Sequence, residues 1–185
     1  CPTVLLDNRA AACAMTEHLL ELGHKRIAMI KGPARSPLTR DRVAGYRDAL
    51  DAAGVAFDES LLYPGDFTLQ SGHQAATELL ALANPPTALF CENDEMAIGA
   101  IQGIKQKGFA VPGDISVAGF DDISFAAFAD PPLTTIAQPA EEFGSTAVTL
   151  LIDLLEGRLG KAPKVILPFD LIQRASTGPA PAGLG

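Results

Sequence analysis

Positive charge is scarce in this 185-residue chain, which has 14 Lys and Arg against 22 Asp and Glu and a formal net charge of −8. Nucleic-acid binding depends largely on Lys and Arg side chains that neutralise phosphates. A chain with only 19% charged residues and this acidic balance has no basic stripe to offer. We therefore expect any DNA contact to come from a segment outside this chain.

Long apolar runs and a leader pattern are also missing. No run reaches the roughly 18 residues of a membrane span, and the start, Cys1-Pro2-Thr3-Val4, lacks a basic region followed by an apolar stretch. We expect no membrane partner. The cysteines Cys1, Cys13 and Cys91 are odd in number and lack metal-ligand spacing, which is typical of buried thiols in a reducing compartment. These features favour the cytoplasm.

The common sequence signatures of catalysis are absent. The chain has no Gly-x-Ser-x-Gly, no Gly-x-x-x-x-Gly-Lys-Ser/Thr phosphate loop and no Gly-x-Gly-x-x-Gly after a strand. The histidines His18, His24 and His73 have no metal-ligand spacing with a Cys or a carboxylate, and we predict that they are surface residues. We expect no enzyme, no cofactor and no metal site.

What the chain does contain is a regular alternation of strand-like and helix-period segments, with 48% hydrophobic residues to supply a core. This alternation predicts an α/β fold with a doubly wound, mostly parallel sheet and crossover helices. The predicted strands are 4–6, 27–30, 61–63, 87–91, 115–119, 133–137 and 164–167. The predicted helices are 10–22, 41–53, 69–82, 94–107 and 140–155.

Polar side chains and one aromatic ring follow the predicted strands, at the edge where open α/β sheets bind their ligands. They are Arg35, Ser36, Thr39, Arg40, Arg42, Asp66, Phe67, Glu92, Asn93, Asp94, Asp121, Asp122 and Gln138. Carboxylate and amide oxygens accept hydrogen bonds from hydroxyl groups, Arg and Gln donate to them, and an aromatic face covers the apolar side of a ring. This mixture predicts a binding site for a neutral polyol.

Several of these residues have an alternative structural explanation. Asn93 or Asp94 opens a predicted helix, where its side chain can cap free backbone N–H groups. Asp121 can belong to a simple turn, and Phe67 can pack over a helix end. Arg42 lies in the first turn of its predicted helix, where the helix dipole disfavours a cation. A ligand or a carboxylate partner therefore explains Arg42 better than local helix physics does.

Several stretches, in order and spacing, resemble the effector-binding core of the lactose-repressor (LacI/GalR) family of bacterial transcription regulators. They include Asn93-Asp94-Glu95-Met96-Ala97-Ile98-Gly99-Ala100, Pro112-Gly113-Asp114-Ile115-Ser116-Val117-Ala118-Gly119-Phe120-Asp121 and Pro132-Leu133-Thr134-Thr135-Ile136. The resemblance extends over nearly the whole chain, to about Ser176. It implies a type I periplasmic-binding-protein-like core, here mainly its C-terminal lobe, that senses a small effector and controls DNA binding allosterically.

The resemblance also implies which residues contact the effector. Those at matching positions are Arg42, Phe67, Asn93, Asp121 and Gln138, with Ser36 and Asp94 as further candidates. The expected effector is a sugar or, second, a nucleobase or nucleoside. A periplasmic sugar-binding protein of an ABC transporter shares this fold and is the alternative reading.

By the same resemblance, the DNA-binding segment and most of the N-terminal lobe are missing. Residues 1–7 would be a remnant of that lobe, 8–137 the C-terminal lobe, 138–160 an N-lobe helix, 161–177 a return to the C-terminal lobe and 178–185 a flexible tail. The predicted helix 140–155 would then lack the N-lobe sheet against which it packs in the family. We therefore expect its face with Phe143, Leu150 and Leu154 to be buried by a neighbouring chain or a rearranged packing.

Regions that lie at the dimer contact in the family are apolar in this sequence. We expect a homodimer through the C-terminal lobe, with an interface that includes Ile98, Ile101, Phe125 and Phe128.

Overall fold

The computed structural model describes residues 2–159 and 162–182. Its helices are α1 (Asn8–Glu21), α2 (Pro37–Ala52), α3 (Leu69–Leu79), α4 (Asp94–Gln106) and α5 (Ala140–Leu155). Its strands are β1 (Thr3–Leu6), β2 (Ile27–Lys31), β3 (Leu62–Pro64), β4 (Ala88–Cys91), β5 (Ser116–Ala118), β6 (Thr135–Ala137), β7 (Lys164–Leu167) and β8 (Asp170–Ile172). Cys1, the expected boundary at 160–161 and the tail residues 183–185 lie outside the described residues.

Four parallel strands form the main sheet, in the order β3-β2-β4-β5. Because side chains alternate along a strand, Ala28 and Leu89 pack with the residues of α3 and α4, whereas Met29 and Phe90 pack with those of α1 and α2. Both faces are thus covered by helices, which explains the continuous apolar runs of β2 and β4. The predicted doubly wound α/β fold is confirmed.

Two smaller strand pairs stand beside the main sheet. β1 pairs in parallel with β7, and α5 packs against β1. β6 pairs in antiparallel fashion with β8. Strand β8 was not predicted, because its three residues show no clear period. Residues 164–167 thus pair with β1, whereas β8 pairs with β6. The expected return to the C-terminal lobe at 161 stays a prediction.

Helix α2 begins a turn earlier than predicted. Ser36 has an extended backbone, and Pro37 occupies the start of the helix, where its fixed φ and missing N–H are tolerated. Arg42 therefore lies in the second turn, and its predicted place in the first turn is wrong. The helix dipole acts mainly on the first turn, so it does not bear on Arg42.

Helix α5 has the predicted bounds, but none of its residues is buried within the part of the chain that the structure describes. Phe143 and Leu150 are half-buried, and Leu154 is 47% exposed. The two-stranded sheet of β1 and β7 is too narrow to cover the helix. The expected burial by a rearranged packing is therefore wrong, and burial by a neighbouring chain stays a prediction.

The start of the predicted tail is docked on the protein. His24 is fully buried, with Nδ1 2.9 Å from Thr87 Oγ1 and Nε2 3.0 Å from both Ser116 Oγ and the Gly178 carbonyl oxygen. The Ala180 N–H donates to the Leu22 carbonyl at 2.8 Å. The predicted surface positions of His24 and of His18, which is also buried, are therefore wrong. Burial lowers the pKa of His24.

Over the described ranges 2–159 and 162–182, no helix is both long and apolar enough to cross a bilayer. Within the same ranges, no cluster of three or more His, Cys, Asp or Glu side chains is placed to hold a metal ion. Cys13 and Cys91 are free thiols, and Cys91 is buried.

Candidate functional site

A cavity of about 330 Å³ lies where the carboxyl ends of several strands meet. Its lining comprises Val4, Leu5, Leu6, Asn8, Leu38, Arg42, Phe67, Asn93, Asp121, Gln138 and Phe143. All five residues predicted as effector contacts are among them. They follow β2, β3, β4, β5 and β6, so the rule that ligands bind at the carboxyl ends of strands predicts this convergence.

Arg42 is the central cation of the cavity and is almost fully buried. Its Nε donates to Asn8 Oδ1 at 2.8 Å, and its Nη1 donates to the backbone carbonyl of Glu92. The guanidinium carbon lies 3.5 Å from the centre of the Phe120 ring, a cation–π contact. Burial lowers the pKa of Arg42, and the charges of Asp121 and Glu92 oppose this shift.

Asp121 provides the main acceptor of the cavity. Its Oδ1 lies 3.9 Å from Arg42 Nη2 and accepts a hydrogen bond from Gln138 Nε2. Burial raises the pKa of Asp121, whereas Arg42 and Gln138 lower it. Among the described residues, Oδ2 of Asp121 and Oε1 of Gln138 have no hydrogen-bond donor and remain available to a ligand.

Asn93 and Phe67 form one linked part of the wall. Asn93 Oδ1 accepts from the Met96 N–H at 3.0 Å, and Nδ2 donates to the Phe67 carbonyl at 2.9 Å. Asn93 is therefore the N-cap of α4 as well as a lining residue. Phe67 has a φ of 70°, and its ring rests on Gly32, where a Cβ atom would lie 2.1 Å from Phe67 Cζ.

Glu92 lies behind this wall and is fully buried. Its Oε2 accepts from the Gly32 N–H at 3.0 Å and from Thr39 Oγ1 at 2.8 Å. Its Oε1 has no hydrogen-bond partner among the described residues. Burial raises the pKa of Glu92, while the hydrogen bonds from Gly32 and Thr39 and the charge of Arg42 lower it. The Glu92 carboxyl thus ties the end of β2 to α2.

The two further candidates from the sequence do not line the cavity. Ser36 precedes α2, and it is Leu38, in the first turn of α2, that reaches the cavity. Asp94 is fully buried, and both of its carboxylate oxygens accept hydrogen bonds from within the protein. The prediction that Ser36 and Asp94 contact an effector is not supported in this arrangement, because neither side chain reaches the cavity surface.

Sequence reasoning missed Asn8, Leu38 and Phe143 in the lining. Asn8 follows β1, so the rule used for the other strands would have found it. Leu38 is apolar and lies in the first turn of α2, so a search for polar residues after the strands could not find it. Phe143 was assigned to an unpartnered helix face, and its position on the cavity depends on the packing of α5 against β1.

The cavity combines hydrogen-bonding groups with apolar walls, and the charges of Arg42 and Asp121 neutralise each other. A neutral ligand with hydroxyl or amide groups satisfies it, because such groups can both donate to Asp121 and accept from Arg42. The apolar lining from Leu38, Phe67 and Phe143 fits the less polar faces of a ring.

Residues 16–177 match the model of the periplasmic binding protein-like domain. The chain is 44% identical to the HTH-type transcriptional repressor CytR of Escherichia coli K12, over 97% of this chain and 53% of the repressor. It is 39% identical to the transcriptional regulator CelR of Thermobifida fusca, over 92% of this chain and 50% of that protein. The chain therefore spans about half the length of these curated relatives.

Solved structures show the same similarity in three dimensions. A LacI family regulator from Enterococcus faecium with bound ribose superposes with a TM-score of 0.90 at 34% identity, covering 96% of this chain and 66% of that one. The complex of the regulator CelR with cellobiose gives 0.91 at 38% identity, covering 95% and 54%.

The fold and the strand-end cavity define a ligand-binding domain of the periplasmic-binding-protein type. The chain belongs to the periplasmic binding protein-like domain family, and the resemblance to the effector-binding core of LacI-type regulators is confirmed.

Proposed function

We propose that this chain is the effector-sensing part of a cytoplasmic transcriptional regulator of the LacI type and that it is not an enzyme. The observation that carries the proposal is the convergence of Arg42, Phe67, Asn93, Asp121 and Gln138 on one cavity. Regulators of similar sequence and fold are described as bound to cellobiose and to ribose. A sugar is therefore the first candidate for the effector, and a nucleobase or nucleoside is the second.

The proposed mechanism is a shift between two conformations. An effector in the cavity contacts Asp121 after β5, Gln138 after β6 and Phe143 on α5, which belong to separate parts of the fold. An effector that binds one arrangement of these parts better stabilises it, by no more than its difference in affinity for the two. DNA contact would come from outside this acidic chain.

The effector proposal is tested by titrating the chain with D-ribose, cellobiose, cytidine and adenine. We expect saturable heat in calorimetry with at least one of these compounds, together with shifts of the Asp121, Gln138 and Phe67 NMR signals. The physical reason is that only a ligand in the cavity contacts all three residues. Shifts confined to other surfaces, or no saturation with any compound at millimolar concentration, would contradict the proposal.

A periplasmic sugar-binding protein is the alternative function. The relatives described above are transcriptional regulators, which favours the first proposal. The DNA upstream of the codon for Cys1 separates the two. A helix-turn-helix followed by another half-lobe supports the regulator, and a signal peptide before that half-lobe supports the transport receptor.

We also propose that the chain forms a homodimer through an apolar groove. The groove is lined by Leu69, Glu95, Ile98, Gln102, Ile123, Phe125, Phe128 and Ala129. Phe125 is 74% exposed and Phe128 is 85% exposed, and contiguous apolar surface of this kind marks interaction sites. Ile101 is only 3% exposed and packs in the core, so its predicted place in the interface is wrong.

Replacing Phe125 and Phe128 together by serine is expected to convert the dimer into a monomer. The two rings contribute most of the exposed apolar surface of the groove, and their loss removes the burial that drives association. Sedimentation velocity at micromolar concentration measures the change. Phe109→Ser, at an exposed phenylalanine outside the groove, is the matched control that should stay dimeric. A wild-type chain that sediments as a monomer would contradict the dimer proposal.

A further inference from the structure

The turn that carries Asp121 has an unusual backbone. Asp121 has a φ of 111° and Asp122 a φ of 52°, and both values lie in the left-handed region that side chains other than glycine rarely adopt. Two such residues in a row persist only where the surrounding structure holds them. The groups that hold this turn therefore determine where the Asp121 carboxylate lies in the cavity.

Asp94 holds the turn from behind. The Ile123 N–H donates to Asp94 Oδ2 at 2.8 Å, and Thr135 Oγ1 donates to Asp94 Oδ1 at 2.5 Å. Thr135 opens β6, the strand that leads to Gln138. The buried Asp94 carboxylate thus joins Ile123, in the same turn as Asp121, to β6, the strand before Gln138. The side chains of Asp121 and Gln138 are hydrogen-bonded to each other.

The space for this carboxylate depends on Gly119. A Cβ atom at position 119 would lie 2.3 Å from Asp94 Oδ1, so any other residue there would displace the carboxylate. Further contacts hold the same turn: the Asp121 N–H donates to the Ile136 carbonyl at 2.8 Å, and Asp122 forms an ion pair with Arg174 at 2.8 Å. Asp94 differs from these in linking the turn and β6 through a single ionisable group.

We propose that Asp94 is a positioning residue for the effector site, which holds the Asp121–Ile123 turn against β6 so that Asp121 and Gln138 face the cavity. The importance of this placement for an effector rests on the proposed function. The placement itself is a property of the free chain and can be measured without a ligand.

Protonation gives a way to observe this role. Burial raises the pKa of Asp94 to about 7, the charges of Asp121 and Asp122 add to the rise, and the hydrogen bonds from Thr135 and Ile123 oppose it. Above this pKa both oxygens accept; below it one oxygen carries a proton, and the contact with Thr135 or Ile123 must rearrange. The ionisable groups next to Asp94 include Cys91, Glu92 and Glu95, and also Asp121 with Arg42 and Asp122 with Arg174. Farther along the packed helices are Lys105 on α4 and His73 and Glu78 on α3.

The test is an NMR titration of the ¹⁵N-labelled chain from pH 5.5 to 8.5 without effector. In the wild type we expect the Asp121 and Ile123 amides and the Gln138 side-chain amide to shift together, with a midpoint near 7. Asp94→Asn is expected to abolish this titration and to keep signals close to those of the protonated wild type, because its Oδ1 can accept from Ile123 while its Nδ2 donates to Thr135. Asp94→Ala should displace the same signals at every pH.

The exposed Asp51 on α2 provides the control, because Asp51→Asn should leave the titration unchanged. Wild-type signals that do not move together near pH 7, or an Asp94→Asn variant that titrates like the wild type, would overturn the proposal. If Asp94→Ala does not fold, the titrations of the wild type and of Asp94→Asn decide the role of Asp94. If none of the trial sugars, nucleosides or bases binds, the proposed function fails while the NMR titration still decides the role of Asp94.

Discussion

Arg42→Ala is expected to weaken effector binding by roughly 1.5–3 kcal/mol, the usual cost of losing hydrogen bonds to a charged donor. It is also expected to lower the free energy of unfolding by about 3 kcal/mol, because it leaves Asn8 Oδ1 and the Glu92 carbonyl without their donor inside the protein. Calorimetry with the compound that binds tightest in the titrations measures the first effect, and thermal melts measure the second.

A second variant at position 42 separates the charge of Arg42 from its geometry, and a variant at Arg40 provides the control. Arg42→Lys keeps the cation but not the planar fork that reaches Asn8 and Glu92 at once, so we expect a partial loss of both binding and stability. Arg40→Ala removes an arginine that pairs with Asp41 on the surface, and it should change neither quantity by more than about 0.5 kcal/mol. Equal affinities for wild type and Arg42→Ala would remove Arg42 from the site.

Gly99→Ala is expected to destabilise the fold by about 3 kcal/mol, at the upper end of the usual cost of overpacking. A Cβ atom at position 99 on α4 would lie 1.9 Å from the backbone carbonyl oxygen of Leu69 on α3. Backbone atoms cannot move aside as the end of a side chain can, so the two helices must separate. For a chain of this size we expect the melting temperature to fall by roughly 6–12 °C.

Gly144→Ala is the matched control for this substitution. Gly144 also lies in a helix, and apart from its own helical backbone and chain neighbours no atom of the described residues comes within 4 Å of the position of its Cβ. Alanine should therefore gain only its better helix propensity, worth up to about 1 kcal/mol, and should not lower the melting temperature. A Gly99→Ala protein that melts with the wild type would show that α3 and α4 can move apart at little cost.

The predicted bounds of the helices were most accurate where a continuous helical repeat of apolar residues lay between residues typical of helix ends. Helix α5 was predicted with its observed bounds, and α4 was predicted from Asp94 with an end one residue late. The start of α2 was predicted four residues late, because a proline at the start of a helix was taken as part of a loop. That error placed Arg42 in the wrong turn and gave an incorrect physical reason for singling it out.

The histidines show the limit of reasoning from spacing alone. Hydrogen bonds connect the buried His24 to Thr87, Ser116 and the partly buried Gly178. Each of these residues is polar or small, and each lies in a different segment. No local pattern distinguishes such a residue from a surface one. These hydrogen bonds exist because the end of the chain returns to the edge of β5, where the Ser176 carbonyl accepts from the Val117 N–H.

The candidate cavity was predictable because it follows from chain direction. Parallel strands end at the same edge of the sheet, so Arg42, Phe67, Asn93, Asp121 and Gln138 had to converge once the alternation of strands and helices was read correctly. What each polar group does there was not predictable. Asn93 caps a helix while lining the wall, and Asp94, its neighbour in sequence, faces away from the cavity.

The linear order of residues was thus sufficient for the fold class and the position of the cavity, because periodicity and composition are local properties. The strained turn at Asp121, the contacts of Asp94, the pairing of β7 with β1 and the burial of His24 depend on residues far apart in the chain. Their geometry and protonation follow from desolvation and hydrogen bonding between those segments, and these arise only when the chain is folded.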